Sequence, residues 1–271
     1  MKWLIPLGFV LFACSDEPVK EELIERPIIE EVIDVNRLEL EQQDVDTHDT
    51  LELIGLLDLG AFDNRIFIEL KYATEDNFMK RQLYDTLRQL FIQKEVALRL
   101  SAVQDYLDSL NPGYHLLVYD GVRPVQVQKE MWDALDSIPP LNRGKFVSNP
   151  ALGSVHNFGA AVDLTIVNEF GEPLDMGAGY DDFRPIAFPS KETHFLKTGE
   201  LTKKQWNNRR LLRRIMRSQK FSNIPSEWWH FNAFSRITAS HNYQLLESES
   251  GGSRWFKIIP KTTQNDSLPI P

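Results

Sequence analysis

Cysteine and histidine are both scarce in this chain of 271 residues. Its single cysteine, Cys14, excludes an intrachain disulfide, and no Cys-x-x-Cys pair is present to hold a metal ion. Only six histidines occur. A metal site would therefore combine a few imidazoles with carboxylates, which are the other ligand types that suit zinc.

Two further features are missing from the sequence. There is no basic stripe with interleaved aromatic residues, so we expect no nucleic-acid partner. There are also no internal repeats. The hydrophobic content of 42% instead suits a soluble globular domain with a sizeable core.

The N-terminus has the pattern of an export signal. Lys2 precedes an apolar run from Trp3 to Phe12 that is too short to cross a bilayer as a helix. Leu11-Phe12-Ala13-Cys14 resembles a bacterial lipoprotein cleavage box, although Phe12 is bulkier than usual. We expect a signal peptide over 1–13 and lipidation of Cys14, which would attach the protein to a membrane in the bacterial cell envelope. The alternative is an ordinary secretory peptide with an incidental cysteine.

The acidic residues are concentrated in one segment. Residues 15–49 contain 13 acidic and three basic residues, a net charge of −10. Since the whole chain carries −9 and Lys2 is positive, residues 50–271 are neutral overall. Like charges with little apolar periodicity are typical of a solvated chain. We therefore predict an acidic tether over 14–50, a folded domain over 51–240 and a partly disordered C-terminal extension over 241–271.

Apolar periodicity predicts the main elements of the domain. Residues 65–72 alternate as a strand does, and residues 86–110 carry apolar side chains at helical spacing. A long irregular loop over 173–190 is of the kind that is usually functional. The other predicted elements are strands at 114–119, 160–167, 228–234 and 255–259, and helices at 125–138 and 201–218.

Two short stretches bring together residues that could carry chemistry. The first is Ser154-x-His156-x-x-Gly159-x-Ala161-x-Asp163, and the second is Glu227-Trp228-Trp229-His230. Three ligands, His156, Asp163 and His230, would leave the open fourth position of a catalytic zinc site, with Glu227 free to take a proton. Singly, each has a structural explanation: a histidine can cap a turn, an aspartate can pair with an arginine, and tryptophans can fill a core.

The spacing within these stretches requires irregular backbone. His156 and Asp163 are seven residues apart, so a regular strand would direct them to opposite faces. We therefore expect Gly159 to bend the chain so that both side chains converge. Glu227 and His230 are three apart, and the chain between them must also turn.

These motifs resemble the zinc D,D-peptidases of peptidoglycan metabolism, and more specifically the VanX-like D-alanyl-D-alanine dipeptidases. The resemblance covers roughly residues 52 to 235. It implies an α+β fold with a small central, mostly antiparallel sheet, flanking helices and a single zinc site. Supporting segments occur in the family's order: Lys71 to Phe78, Tyr119 to Pro124, Met176 to Asp182 and Asn208 to Leu211.

The resemblance also implies a role for each residue around the zinc ion. His156, Asp163 and His230 would bind one Zn²⁺ per chain, and Glu227 would act as the general base. Arg123 would face the developing oxyanion, unless it is a structural partner of Asp120.

Three further positions match residues that hold the substrate. Tyr72 and Asp181 match positions that bind the substrate's free amino group, and Ser154 matches a serine on the carboxylate side. Val155 departs from the serine found next to it in well-known members, which puts carboxylate recognition in question.

The resemblance implies an envelope dipeptidase that hydrolyses D-alanyl-D-alanine or a close D,D-dipeptide. One alternative is a zinc D,D-carboxypeptidase or endopeptidase acting on peptidoglycan stems. Another is a non-catalytic cell-wall-binding lipoprotein, against which the presence of Glu227 and Arg123 argues. The location of Asp181 relative to the metal site would separate the dipeptidase from the carboxypeptidase.

Overall fold

A five-stranded sheet lies at the centre of the fold. Its strands, in spatial order, are β2 (Phe67–Ile68), β4 (His115–Asp120), β5 (Ala161–Val167), β7 (His230–Asn232) and β6 (Ser222–Asn223). Only β2 and β4 are parallel, and the other three pairs are antiparallel. Every residue of β5 is buried, as expected for the middle strand. The expected α+β class with a small, mostly antiparallel sheet is confirmed.

The computed structural model describes residues 51–144 and 146–258. All of these described residues belong to one compact unit. The predicted signal peptide, Cys14 and the acidic tether lie outside the described residues. None of the described helices combines the length and apolar character that crossing a membrane requires.

Helices and two small ribbons surround the sheet. Helix α2 (Lys94–Leu110) buries Val96, Leu100, Val103 and Leu107, the stripe that helical periodicity predicts. It packs against β4 and against α6 (Lys203–Ser218). The other helices are α1 (Leu59–Phe62), α3 (Val125–Ala134), α4 (Pro140–Arg143), α5 (Glu192–Thr198) and α7 (Arg236–Asn242), and the ribbons pair β1 (Leu56–Asp58) with β3 (Phe91–Gln93) and β8 (Leu245–Ser248) with β9 (Gly251–Arg254).

Several element boundaries differ from the sequence-based prediction. The helix expected from residue 86 begins at Lys94, because Phe91–Gln93 pair with β1 as a buried strand. The strand expected over 65–72 is reduced to Phe67–Ile68, because residues 71–73 form a 3₁₀ turn. The last strand is not at 255–259 but at Gly251–Arg254. Helix α5 was not predicted.

Ordered structure continues past residue 240. Leu245 and Leu246 in β8 are buried, and this strand packs against α3 and against the 3₁₀ turn Val155–Phe158. The start of the predicted C-terminal extension therefore contributes to the support of the candidate site. Residues 259–271 lie outside the described residues.

Helix α6 fixes the long loop over 173–190. The buried guanidinium of Arg209 donates to the carbonyl oxygen of Met176 at 2.6 Å and to that of Ile186 at 3.0 Å. The side chain of Asn208 donates to the carbonyl oxygen of Asp175 at 2.8 Å. These bonds satisfy backbone groups on both sides of Asp181, so the loop has a defined position beside the sheet.

Gly159 provides the predicted bend between His156 and Asp163. It ends the 3₁₀ turn Val155–Phe158 in the left-handed region, with φ of 62° and ψ of 26°. A Cβ atom at this position would lie 2.4 Å from Cδ2 of Leu56. Both the backbone conformation and the close packing against β1 therefore require glycine.

We predict that Gly159→Ala lowers the free energy of unfolding by about 2–4 kcal/mol, because it combines left-handed strain of about 1 kcal/mol with overpacking of about 1–3 kcal/mol. Gly171→Ala is the matched control: its φ is 78°, but nothing lies within 4 Å of the added Cβ. Chemical denaturation of both variants measures the difference. Equal losses would show that packing against Leu56 contributes nothing.

Candidate functional site

The register of three adjacent strands places the predicted ligands side by side. Asp163 in β5 is opposite His230 in β7, and on its other side it is opposite Asp120 at the end of β4. His156 comes from the 3₁₀ turn before β5, and the bend at Gly159 returns it toward Asp163. Residues that are distant in sequence thus meet in one buried cluster.

Three ligand atoms converge within this cluster. His156 Nε2 lies 3.1 Å from His230 Nδ1 and 3.3 Å from Asp163 Oδ1, and His230 Nδ1 lies 3.0 Å from Asp163 Oδ1. Tetrahedral zinc with bonds of about 2.0–2.1 Å has ligand atoms about 3.3 Å apart. The triangle therefore has nearly the dimensions of one face of a tetrahedral metal site.

The ring nitrogens of His156 and His230 that lie outside the triangle have hydrogen-bond partners of their own. His156 Nδ1 donates to the carbonyl oxygen of Gly121 at 2.8 Å, and His230 Nε2 donates to Oδ1 of Asn232 at 2.9 Å. An imidazole that carries its proton on this outer nitrogen directs the lone pair of its other nitrogen inward, toward the other ring and the carboxylate of Asp163. Three lone-pair donors that face one another fit a shared cation.

The second oxygen of Asp163 has its own partners. Its Oδ2 accepts hydrogen bonds from Tyr180 Oη at 3.1 Å and from Arg123 Nη2 at 3.3 Å. Burial alone would raise the pKa of Asp163, but its contacts with His156 and His230 hold that pKa well below its ordinary value. The carboxyl group is therefore ionised, as a metal ligand must be.

Arg123 forms the structural ion pair that the sequence left as an alternative role. Its Nε and Nη2 donate to Oδ2 of Asp120 at 2.9 and 2.6 Å, and its Nη1 donates to Gln128 at 3.2 Å. Tyr84 donates to the other oxygen of Asp120 at 2.7 Å. Burial opposes the charge of Arg123, yet Asp120 keeps its pKa well above the ordinary value. The same guanidinium lines the cavity beside the triangle, so the ion pair with Asp120 holds the positive charge of Arg123 at the cavity wall.

Glu227 lies beside the triangle and outside it. Its Oε2 is 3.9 Å from His230 Nδ1, and its side chain is largely but not fully buried. Burial, with a further contribution from the charge of Asp163, raises the pKa of Glu227 to about 7. This carboxyl group would exchange protons near neutral pH.

Asp181 is held in an unusual backbone conformation. Its φ is 56°, in the region that residues other than glycine rarely adopt. Oδ1 accepts from Tyr72 Oη at 3.1 Å, and Oδ2 accepts from the backbone N–H of Phe78 at 3.3 Å. Burial, followed by the charge of Asp163, raises the pKa of Asp181 to about 7. The structure thus joins the two residues predicted to bind an ammonium group.

One cavity of ≈ 150 Å³ connects all of these groups. It is small beside the ~300–1,000 Å³ of drug-sized ligand sites. Ser154, which caps the turn carrying His156, also lines it. All eight predicted site residues of the described chain line this cavity: Tyr72, Arg123, Ser154, His156, Asp163, Asp181, Glu227 and His230.

The sequence did not indicate the residues that orient this site. Asn157 donates to the carbonyl oxygen of Arg123 at 2.7 Å and so joins the turn of His156 to the end of β4. Tyr84, Tyr180 and Asn232 contact Asp120, Asp163 and His230 respectively, as described above. The available signal was weak: Asn157 and Tyr180 lie within motif segments, whereas Tyr84 and Asn232 follow no spacing rule.

The comparison with protein families matches residues 52–247 to the peptidase M15 family, described as D-ala-D-ala dipeptidase. A D-alanyl-D-alanine dipeptidase of Escherichia coli (strain K12) is 34% identical over 201 residues, which cover 74% of this chain and 92% of that protein. A protein of the same name from Enterococcus faecalis (strain V583) is 31% identical over 192 residues, covering 65% of this chain and 90% of the relative.

Solved structures show a weaker likeness. One described as VanYB in complex with D-Alanine-D-Alanine has 15% identity and a TM-score of 0.30, covering 58% of this chain and 79% of the other. The LdcB LD-carboxypeptidase has 18% identity and a TM-score of 0.31, covering 58% of this chain and 66% of the other. Scores of this size establish no detailed correspondence, so the family assignment depends on the sequence matches.

We predict that Asp120→Asn lowers the free energy of unfolding by about 3–5 kcal/mol, because it leaves the buried guanidinium of Arg123 without its main counter-charge. Asp133→Asn is the matched control, since Asp133 pairs with Lys129 on the exposed surface of α3 and should contribute less than about 1 kcal/mol. Denaturant titrations compare the two. A loss at Asp120 as small as that at Asp133 would refute a structural role for the pair.

Proposed function

Because the chain belongs to the peptidase M15 family of D-Ala-D-Ala dipeptidases, we propose that it is a zinc peptidase that hydrolyses D-alanyl-D-alanine or a close D,D-dipeptide. The observation that carries this proposal is the single small cavity in which the His156–Asp163–His230 triangle, Glu227 and Asp181 meet. Family membership suggests the substrate class, and the geometry supplies the groups that the reaction requires.

His156, Asp163 and His230 would hold the zinc ion. Two imidazoles and one carboxylate are a frequent ligand set of catalytic zinc, and the inward lone pairs suit it. When bound, zinc lowers the pKa of a water molecule and polarises a carbonyl group. The hydrogen bonds from the ligands to Gly121, Asn232 and Tyr180 would fix their orientation.

Glu227 would move the protons. Its Oε2 would accept a proton from the attacking water and then deliver it to the amide nitrogen that leaves. At 3.9 Å from His230 Nδ1 it is near the reacting atoms, yet it lies outside the triangle of ligand atoms. This separation suits an acid–base residue better than a fourth ligand.

Arg123 would stabilise the negative charge that develops on the carbonyl oxygen. Its contacts with Asp120, Asp163 and Gln128 use four of its five N–H groups. One N–H of Nη1 remains for the substrate. Because Asp120 already holds the guanidinium in place, little reorganisation is needed during the reaction.

The substrate's free amino group would bind to Asp181 and Tyr72. A carboxylate and a phenol oxygen 3.1 Å apart provide an acceptor pair for an ammonium ion. A carboxypeptidase substrate has an acylated nitrogen here, which would leave the buried Asp181 without a cationic partner. The small cavity and Asp181 therefore favour the dipeptidase over the carboxypeptidase or endopeptidase.

We predict that the zinc-loaded protein cleaves D-alanyl-D-alanine with a kcat/KM about 10- to 100-fold higher than its kcat/KM for the N-acetylated dipeptide. An uncompensated hydrogen bond to a charged group contributes about 1.5–3 kcal/mol. Asp181→Asn should narrow this gap by impairing cleavage of the free dipeptide. The measurement is the rate of D-alanine formation from the free dipeptide, from its N-acetyl form and from a stem pentapeptide. Equal or faster cleavage of the acylated or longer substrates would favour a carboxypeptidase.

We predict that Glu227→Gln retains one zinc ion per chain and loses turnover by on the order of 100- to 10,000-fold, the usual contribution of a general acid–base group. His230→Ala is the comparison variant, which should lose the metal ion as well as activity. Metal analysis after dialysis, together with dipeptide turnover, separates the two roles. Loss of zinc from Glu227→Gln would make Glu227 a ligand.

We also propose that the protein is a lipoprotein of the bacterial cell envelope, attached through Cys14. This proposal is supported by Lys2, the short apolar run and the Leu11-Phe12-Ala13-Cys14 box. Residues 14–50, with their concentrated negative charge, would separate the lipid from the catalytic domain.

We predict that Cys14→Ser moves the full-length protein from the membrane fraction to the soluble fraction of the envelope, since lipidation requires the thiol. Metabolic labelling with a fatty acid, followed by fractionation, tests this. Because the chain has no other cysteine, the Cys14→Ser variant has no thiol left to carry the fatty acid and should lose the label. Unchanged membrane association of Cys14→Ser would refute the lipid anchor.

A further inference from the structure

A D,D-dipeptide is a zwitterion, so a site that selects it has to accept a carboxylate as well as an ammonium group. This further inference rests on the proposed function. The family resemblance assigns the ammonium end to Asp181 and Tyr72 and the carboxylate end to Ser154, next to which Val155 offers no second hydroxyl group. Carboxylates in proteins are most strongly bound by arginine, through charge-assisted hydrogen bonds. The cations that line the cavity are therefore the relevant groups.

Two arginines line the cavity, Arg123 and Arg236. Arg123 is committed to Asp120, Gln128 and Asp163, as described above. Its position beside the metal triangle also suits the scissile carbonyl group. It therefore has little remaining capacity to bind a second anionic group at the other end of the substrate.

Arg236 is in a different electrostatic situation. It is exposed, and its one hydrogen bond within the described part of the chain runs from Nη1 to the carbonyl oxygen of Gly153 at 3.5 Å. Among residues 51–144 and 146–258, no carboxylate lies within 4.0 Å of its guanidinium. A cation at the cavity wall without an acidic partner is available to an anionic ligand.

The position of Arg236 also suits the binding of the substrate's carboxylate. Gly153 immediately precedes Ser154, so the contact places the guanidinium next to the residue that resembles a carboxylate-side serine. Ser154 Oγ accepts the N–H of His156 and keeps its own proton available to donate. A hydroxyl donor and a guanidinium thus lie at the same end of the cavity.

Arg236 is not explained by the stability of its helix. It is the first residue of α7, where a positive charge is opposed by the partial positive charge of the helix N-terminus. Its replacement by a neutral residue should therefore leave α7 intact. A role in ligand binding accounts for a charge at this position, whereas helix formation does not.

We propose that Arg236 binds the C-terminal carboxylate of the dipeptide and, together with Ser154, determines specificity for a free C-terminus. In this chain the guanidinium would take over from the hydroxyl group that Val155 lacks. Asp181 and Arg236 would then select the two charged ends of the zwitterion, while the residues around the metal triangle act on the bond between them.

The test compares the binding of two ligands that differ at one group, D-alanyl-D-alanine and its C-terminal amide. Binding is measured by calorimetry on the zinc-loaded Glu227→Gln protein, so that neither ligand is consumed. We expect the free acid to bind about 10- to 100-fold more tightly than the amide, as a charge-assisted hydrogen bond predicts. Adding Arg236→Gln should reduce this ratio to about 3-fold or less by weakening the acid alone, and Arg236→Lys should restore part of it.

Arg210→Gln is the control for general loss of positive charge, because Arg210 is exposed on α6 and does not line this cavity. It should leave the acid-to-amide ratio unchanged. The proposal is overturned if Arg236→Gln keeps the ratio, if it weakens both ligands equally, or if neither ligand binds the background protein. Turnover by the unsubstituted enzyme is a separate measurement. A protein that binds with the expected ratio but does not hydrolyse the dipeptide would refute the dipeptidase proposal and leave the role of Arg236 in place.

Discussion

The carboxylate of Asp163 is the interaction on which the rest of the site depends. One of its oxygens lies 3.0 Å from a ring nitrogen of His230 and 3.3 Å from one of His156, and the other accepts hydrogen bonds from Tyr180 and Arg123. An anion this deeply buried would be costly by itself, and it is stable only because donors and positive charge surround it. The same arrangement links the candidate metal-binding triangle to the arginine that would face the reacting carbonyl group. A change at Asp163 would therefore disturb both parts of the candidate site at once.

Backbone geometry holds the groups around Asp163 in place. The Gly121 carbonyl oxygen sets the tautomer of His156, and the backbone N–H of Arg123 donates to the carbonyl oxygen of His156 at 3.1 Å. Gly121 cannot carry a side chain, because a Cβ would lie 2.8 Å from the carbonyl oxygen of Phe91. The small ribbon of β1 and β3 thus packs directly against the turn that orients His156. This ribbon, which has no chemical group in the cavity, is part of what positions the site.

The sequence was most informative where function depends on local spacing. The bend at Gly159 could be predicted from the separation of His156 and Asp163 along the chain. The assignment of the two histidines and Asp163 to a metal site, with the glutamate nearby, depended on residue type and on resemblance to a known family. Long-range pairing was not predictable: Phe91–Gln93 continue the apolar pattern of α2, and only their pairing with β1 makes them a strand. Tyr84 and Arg236 were missed for a related reason. Their importance comes from contacts with Asp120 and Gly153, and no local pattern records a contact across 36 or 83 residues.

Backbone strain and a buried carboxyl group coincide at Asp181. Asp181 occupies the left-handed region at a cost of about 1 kcal/mol or more, although asparagine or glycine would adopt it more readily. Arg209 is buried where it donates to the carbonyl oxygens of Met176 and Ile186 on the two sides of Asp181. Burial removes water from the guanidinium of Arg209 and so lowers its pKa. Such a combination of strain and buried charge is not what stability alone would favour. It is accounted for if the carboxylate of Asp181 has to stand at one fixed point of a small cavity, where an ammonium group can reach it and a longer chain cannot pass.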